Sequence, residues 1–170
     1  VIVAHPSLPA RTPAELIAYA RANPGKLSFA SSGIGNPQHL AGEMLNHMAG
    51  IDILHVPYRG AAPALTDVAA GRVSLNFSSL GPALPLIRDG KLRAIAVTSR
   101  ERMPQLPDVP ALAETPDMEA YDLVNWFGLF APASMPAANV ERLHGIVMAA
   151  LREPDLAGRI TDQGGIARAM

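Results

Sequence analysis

Between Ser31 and Asn36 the chain reads Ser-Ser-Gly-Ile-Gly-Asn, and Pro37, Gln38, His39 and Leu40 follow. Ser31 and Ser32 offer hydroxyls, while Gly33, Ile34 and Gly35 form a short stretch in which the backbone itself can approach a ligand. Asn36 is a favoured residue just before a helix, and Pro37 is favoured at its first position. The first amides of that helix would point into the loop without partners, at the positive end of the helix dipole. The chemistry this arrangement suits is the capture of an anion, a carboxylate or a phosphate.

Other readings of the same residues remain open at this stage. A strand, two glycines and a helix invite comparison with the dinucleotide fingerprint, which would make the chain a cytoplasmic α/β enzyme holding a nucleotide or coenzyme at residues 31–36. The match is poor: Gln38 stands at the third glycine position, and Asp52, the acid at about the right separation, opens its strand instead of closing it. A tight turn that needs glycine for positive φ explains the pair without any ligand. Ser31, Ser32, Ser78 and Ser79 do not lie in a Gly-x-Ser-x-Gly elbow, so serine hydrolase chemistry is a weak reading. His5, His47, His55 and His144 show no helical i, i+4 metal pair with a nearby acid, so no metal is expected, and nothing points to a cofactor. His39 lies one turn into the helix, where it reaches the loop either as a ligand or as a hydrogen-bonding support.

Two further loops repeat the plan. Tyr58-Arg59-Gly60 stands between a strand and a helix, where the Arg59 guanidinium can clamp a carboxylate in two places or form a plain surface ion pair. Tyr58 supplies a phenol donor or a cleft wall. Ser78 and Ser79 open the third such loop. Trp126 and Phe127 read as packing residues.

The elements that must position these loops follow from periodicity and punctuation. Val1 to Ala4 is a strand ended by Pro6 and Pro9, and Thr12, Pro13 and Glu15 start a helix in capping-box form. Leu27 to Ala30, Ile51 to Val56, Val73 to Phe77 and Leu92 to Val97 read as strands. Helices fill the intervals at about Pro37 to Ala49 and Ala61 to Ala70, and a short one after the Ser78 to Pro82 loop closes at Asp89-Gly90. This alternation predicts βαβ units and a mostly parallel sheet flanked by helices, with ligands beyond the carboxyl ends of the strands. Arg100 to Pro116, with four prolines, reads as a surface excursion carrying one short helix near Ala111 to Glu114. Trp126 to Ala131 is expected to be another strand. An amphipathic helix with Val140, Leu143, Ile146, Val147 and Leu151 on one face follows, and then a smaller one near Asp155 to Gln163.

Composition narrows the partners. In 170 residues, 49% are apolar and 17% charged, which suits one globular domain with a real core. A net charge of -1 leaves no electrostatic footprint for nucleic acid. The absence of cysteine excludes disulfides and thiolate chemistry but does not choose a compartment.

Taken in order, Ala30 to Asn36 with His39-Leu40, His55 to Gly60, Gly90 to Thr98, Leu106 to Pro110 and Gly128 to Pro132 resemble the Bug family, the extracytoplasmic substrate-binding proteins of tripartite tricarboxylate transporters. The resemblance implies a type II periplasmic-binding-protein fold, with two α/β lobes that close on a small carboxylate held largely by backbone amides. It places a first inter-lobe crossing strand at residues 1–4 and the second, ligand-binding lobe at 5–122. Residues 123–170 become a return crossing strand and C-terminal helices that pack on a first lobe absent from this chain. A fragment is therefore expected, with a signal peptide upstream of residue 1, a periplasmic location and no enzymatic activity. Its partners would be a mono-, di- or tricarboxylate and the membrane permease subunits, and exposed crossing strands would favour self-association of the fragment. The site residues so implied are Ser31, Ser32, Gly33, Ile34, Gly35, Asn36, His39, Tyr58, Arg59, Gly60, Ser78 and Ser79. Family members that take amino acids commonly carry an aspartate where this chain has Ser78-Ser79, so an unaminated carboxylate is favoured.

Overall fold

In the computed structural model, which describes residues 1–167, Thr12 accepts the amide of Glu15 through its hydroxyl and so starts helix α1 (Pro13–Ala22). The return bond of the predicted box is displaced by one residue, because Glu15 accepts from Arg11 N–H at 2.6 Å instead of from Thr12. Asn36 caps α2 (Pro37–Ala49) in the same manner, through a 2.9 Å bond to His39 N–H, and Gly50 ends it in the left-handed conformation that glycine adopts without a Cβ penalty. Helices α3 (Ala61–Ala69) and α4 (Leu80–Arg88) start at Gly60 and Ser79.

Five strands form one sheet: β1 (Ile2–Ala4), β2 (Ser28–Ser31), β3 (Leu54–Pro57), β4 (Leu75–Phe77) and β5 (Arg93–Ala96), in the order β3-β2-β4-β1-β5. β2 pairs in parallel with β3 and β4, whereas β1 lies antiparallel between β4 and β5. Four strands thus share one direction and β1 opposes them, so the chain is α/β with a mixed, mostly parallel sheet. Phe29, Leu75, Phe77 and Ile95 bury one face under α1 and α2, and Val3, Ala30 and Val97 bury the other under α3 and α4. Side chains alternating at period two explain how neighbours such as Phe29 and Ala30 serve opposite cores.

Two strand expectations change. β3 starts three residues later than predicted because residues 51–53 give their hydrogen bonds to α2: Ile51 N–H bonds Asn46 O, and the Asn46 carboxamide holds both N–H and C=O of Ile53. Trp126 to Ala131 forms no strand; it has no ladder partner among the described residues, and a lone extended segment has nowhere to place its backbone groups but water. Trp126 and Phe127 do not pack into a core as predicted. They are 69% and 88% exposed, and Trp126 meets the edge of Phe130, with centroids 6.2 Å apart.

The chain divides into two compact units, Val1–Asn125 and a second that begins at Trp126. The first holds the sheet, α1 to α4 and the excursion, whose 3₁₀ turn Leu112–Glu114 and buried Tyr121 close over the α1/α2 face. The second holds α5 (Ala137–Arg152) and α6 (Pro154–Asp162), both amphipathic and neither burying a residue.

Candidate functional site

Because β2, β3 and β4 run in one direction, the loops that follow them emerge at one edge of the sheet, and α2, α3 and α4 begin there. Three positive helix ends therefore meet at that edge. A continuation of the β1/β4 ladder sets the third loop: the Val1 nitrogen donates to Ser78 O at 2.7 Å, and Ser78 N–H donates to Val1 O at 2.8 Å.

The 31–36 loop is built from the inside. Ser31 is fully buried, and its hydroxyl meets Gly33 O at 2.9 Å, Gly33 N–H at 3.2 Å and His55 Nε2 at 2.7 Å. Ser32 N–H donates to Gln38 Oε1 at 2.8 Å, and Ser32 Oγ accepts from Asn36 Nδ2 at 2.6 Å. Gly35 N–H donates to His39 Nδ1 at 3.1 Å. With φ of 145° at Gly33 and 78° at Gly35, both positions need glycine. Ile34 stands at the tip, 80% exposed.

This network alters which donors a ligand can meet. The amides of Ser32, Gly33, Gly35 and His39 are already engaged, whereas those of Ile34, Asn36 and Gln38 have no partner among the described residues. Beside them, Arg59 is exposed and has no ion-pair partner among the described residues. Gly60, at φ 123°, starts α3 without a side-chain cap. Ser79 likewise leaves α4 uncapped, its hydroxyl accepting from Asn125 Nδ2 at 3.2 Å, while the Ser78 hydroxyl turns to Ser79 O.

Tyr58 is placed differently from a ligand donor. Its hydroxyl donates to Asp67 Oδ2 at 2.7 Å, and Asp67 also receives Arg72 Nη1 at 2.8 Å. Burial and the Asp67 bond raise the phenol's pKa, and the bonds from Tyr58 and Arg72 lower that of the carboxyl. The phenol thus braces the loop's flank, and Asp67 is occupied.

Sequence reasoning passed over the support beneath the loop. His39 and His55 stack with centroids 4.0 Å apart, and Phe29 lies under His55 at 4.9 Å and edge-on to Phe77 at 5.4 Å. The parallel register that sets Phe29 opposite His55 brings the second histidine under the first turn of α2. Burial above all, and then His39, hold the pKa of His55 below the usual imidazole range, with Glu43 acting the other way. Gln38, a mismatch to a glycine motif in the sequence, is a loop clamp in the structure.

The edge is an open surface. A larger concavity of the first unit, about 580 Å³ between α3 and α4, is lined by apolar groups such as Leu65, Ala69 and Pro82 away from the 31–36 loop.

The model of the tripartite tricarboxylate transporter family receptor matches residues 1–167. The chain belongs to this family. A protein encoded in the tcbD-tcbE intergenic region of Pseudomonas sp. strain P51 is 42% identical over 150 residues, 88% of this chain and 45% of that protein. The structure of R. palustris Rpa4515 with adipate superposes with a TM-score of 0.92 at 35% identity, over 98% of this chain and 56% of that one. The periplasmic binding protein BugD gives 0.89 at 34% identity, over 96% and 54%, in keeping with the Bug resemblance of the five motifs. MatC from Rhodopseudomonas palustris with bound malate gives 0.91 at 30% identity, over 98% and 56%. The chain spans about half the length of those relatives. Among its described residues, no helix is long and apolar enough to cross a membrane.

Proposed function

We propose that this chain is the ligand-binding half of a periplasmic solute receptor, not an enzyme, that captures a small unaminated carboxylate and presents it to membrane permease subunits. The observation that carries this reading is the convergence, on one sheet edge, of three helix N-termini, the amides of Ile34, Asn36 and Gln38, and Arg59, with no hydrogen-bond or ion-pair partner for these amides or for Arg59 among the described residues. Each favours a negative group, and the nearby Asp67 is spent on Tyr58 and Arg72. An ammonium group at Ser78-Ser79 would meet hydroxyls and carbonyls but no counter-charge. Neighbours of this fold at 35% and 30% identity hold adipate and malate, both dicarboxylates, which supports the same ligand class here.

In this reading residues 1–4 enter as one inter-lobe crossing, 5–122 form one lobe, and 123–170 return and pack on a second lobe supplied by the rest of the receptor. An export signal upstream of residue 1 belongs to the same reading. Closure then follows from contacts that exist only with both lobes on the ligand. Thermal-shift profiling of the full receptor tests the ligand class. Plain mono- and dicarboxylates should stabilise it by about 3 kcal/mol at a hundredfold excess over Kd. Stabilisation by amino acids or nucleotides, with none by plain carboxylates, would overturn the proposal.

A further inference from the structure

The loop proposed to meet the ligand is tied down by a bond that a single proton can break. Gly35 N–H donates to His39 Nδ1, so that nitrogen must carry a lone pair and the neutral ring must keep its proton on Nε2. Nε2 faces Glu43 Oε1 at 3.7 Å, which suits a protonated nitrogen there. The ring has little freedom to turn and offer another atom. It lies on His55 at 4.0 Å with 28° between planes, and His55 is in turn fixed by Phe29 and by its bond to Ser31.

We propose that His39 is the positioning residue of the 31–36 loop and makes its carboxylate affinity proton-sensitive, with His55 as the stacked partner that holds the ring in place. The proposal rests on the carboxylate reading of the loop. A second proton on His39 turns Nδ1 from acceptor to donor and sets two N–H groups against each other across 3.1 Å. Gly35 must then move. No described residue outside its chain neighbours lies within 4 Å of the space a Cβ would fill there. Its neighbours Ile34 and Asn36 carry two of the three unpartnered amides, and their directions shift with it.

The groups that face the pair are Glu43 from α2, Ser31 and Phe29 from β2, and the Gly35 amide, and Glu43 is the charged one among them. A charged imidazole also attracts an anion, which would act in the opposite sense. Glu43 at 3.7 Å offsets that charge, whereas the lost Gly35 bond acts on the backbone that meets the ligand. Burial lowers the pKa of His55, which favours the neutral ring that stacks on His39. The device therefore retains ligand at neutral pH and loosens its hold on acidification.

Two measurements on the full receptor, both lobes included, test this. Without any ligand, the Gly35 amide shift followed by NMR from about pH 8 to about pH 5 should move with the His39 ring resonances and share their midpoint. In His39→Asn, whose Oδ1 can accept the same bond without titrating, the Gly35 shift should stay flat. A Gly35 amide that ignores pH in the wild type, or titrates equally in His39→Asn, overturns the proposal. Calorimetry with adipate as probe gives the second readout. The ratio of wild-type to His39→Asn affinity, in which the ligand's own titration cancels, should fall by up to about tenfold per pH unit below the midpoint. A ratio that rises on acidification also overturns it. Should adipate bind at no pH, the carboxylate reading fails while the ligand-free amide titration still decides the role of His39.

Discussion

Helices α2 and α5 both carry an apolar stripe at helical spacing, and their fates differ. On α2, Ala41, Leu45 and Ala49 are 3% exposed or less, covered by the sheet and by Tyr121. On α5, Val140, Leu143 and Ile146 remain 41–55% exposed. Periodicity states which face of a helix is apolar; it does not state what that face meets. The first unit supplies its own cover on both faces of its sheet, whereas α5 and α6 of the second bury none of their residues.

The sharpest way to break this contrast is a matched pair of truncations followed by urea unfolding. Phe29→Ala empties a fully buried site beneath His55 and beside Phe77, and should cost about 3–5 kcal/mol. Leu143→Ala in the same chain should change stability by no more than about 0.5 kcal/mol. A cost at Leu143 approaching that at Phe29 would mean that α5 is already covered and that the contrast is wrong. Gly42→Ala asks the same question by overpacking, since a Cβ there would stand 2.3 Å from the Phe29 ring. It should cost about 1–3 kcal/mol and disturb the histidine stack as the ring moves, which the His39 ring resonances would report.

How much of this was legible in the sequence follows the same division. The caps at Thr12 and Asn36, and Gly50 after α2, are local chemistry, and the helices they bound fall where the residues place them. The three strand-to-helix loops and their common edge follow from alternation alone. What failed to show was tertiary. Asn46 draws residues 51–53 out of β3, the histidine stack depends on the register between β2 and β3, and Gln38 and Asp67 find their partners only once the chain is folded. The segment from Trp126 to Ala131 has the composition of a strand and lacks a neighbour to pair with.

Tyr121 measures how firmly the excursion belongs to the first unit. Its hydroxyl donates to Ala41 O at 2.7 Å in full burial, which drives its pKa well above the usual phenol range. Tyr121→Phe should lower stability by about 1 kcal/mol, the net worth of one such bond. No change in the urea midpoint would mean that the excursion contributes nothing to the core beyond apolar contact. In the second unit, replacing Trp126 and Phe130 together by serine should leave that midpoint within about 0.5 kcal/mol of the wild type while reducing self-association in light scattering. Unchanged association would move the proposed contact away from this aromatic patch.

The smallest effect comes from an exposed contact inside the well-packed unit, and it separates burial from mere membership of that unit. Arg102 Nη2 and Nε grip both oxygens of Glu114, which also accepts Ala111 N–H at 2.9 Å. The Arg102 bonds first, and then the backbone bond, hold the Glu114 carboxyl down to about 2. A carboxyl lowered in the folded state binds fewer protons there than in the unfolded chain. Its contribution is therefore complete above the unfolded value of about 4.3 and is lost as pH falls through that value toward about 2. Glu114→Gln should thus narrow the difference in urea midpoint between neutral and strongly acid solution, and leave a small loss at neutral pH, because water competes for every partner at an exposed site. A variant that kept the full acid dependence of the wild type would assign that dependence to other carboxylates. A large loss at neutral pH would show the pair to be shielded from water, and exposure would then be a poor guide to energy in either unit.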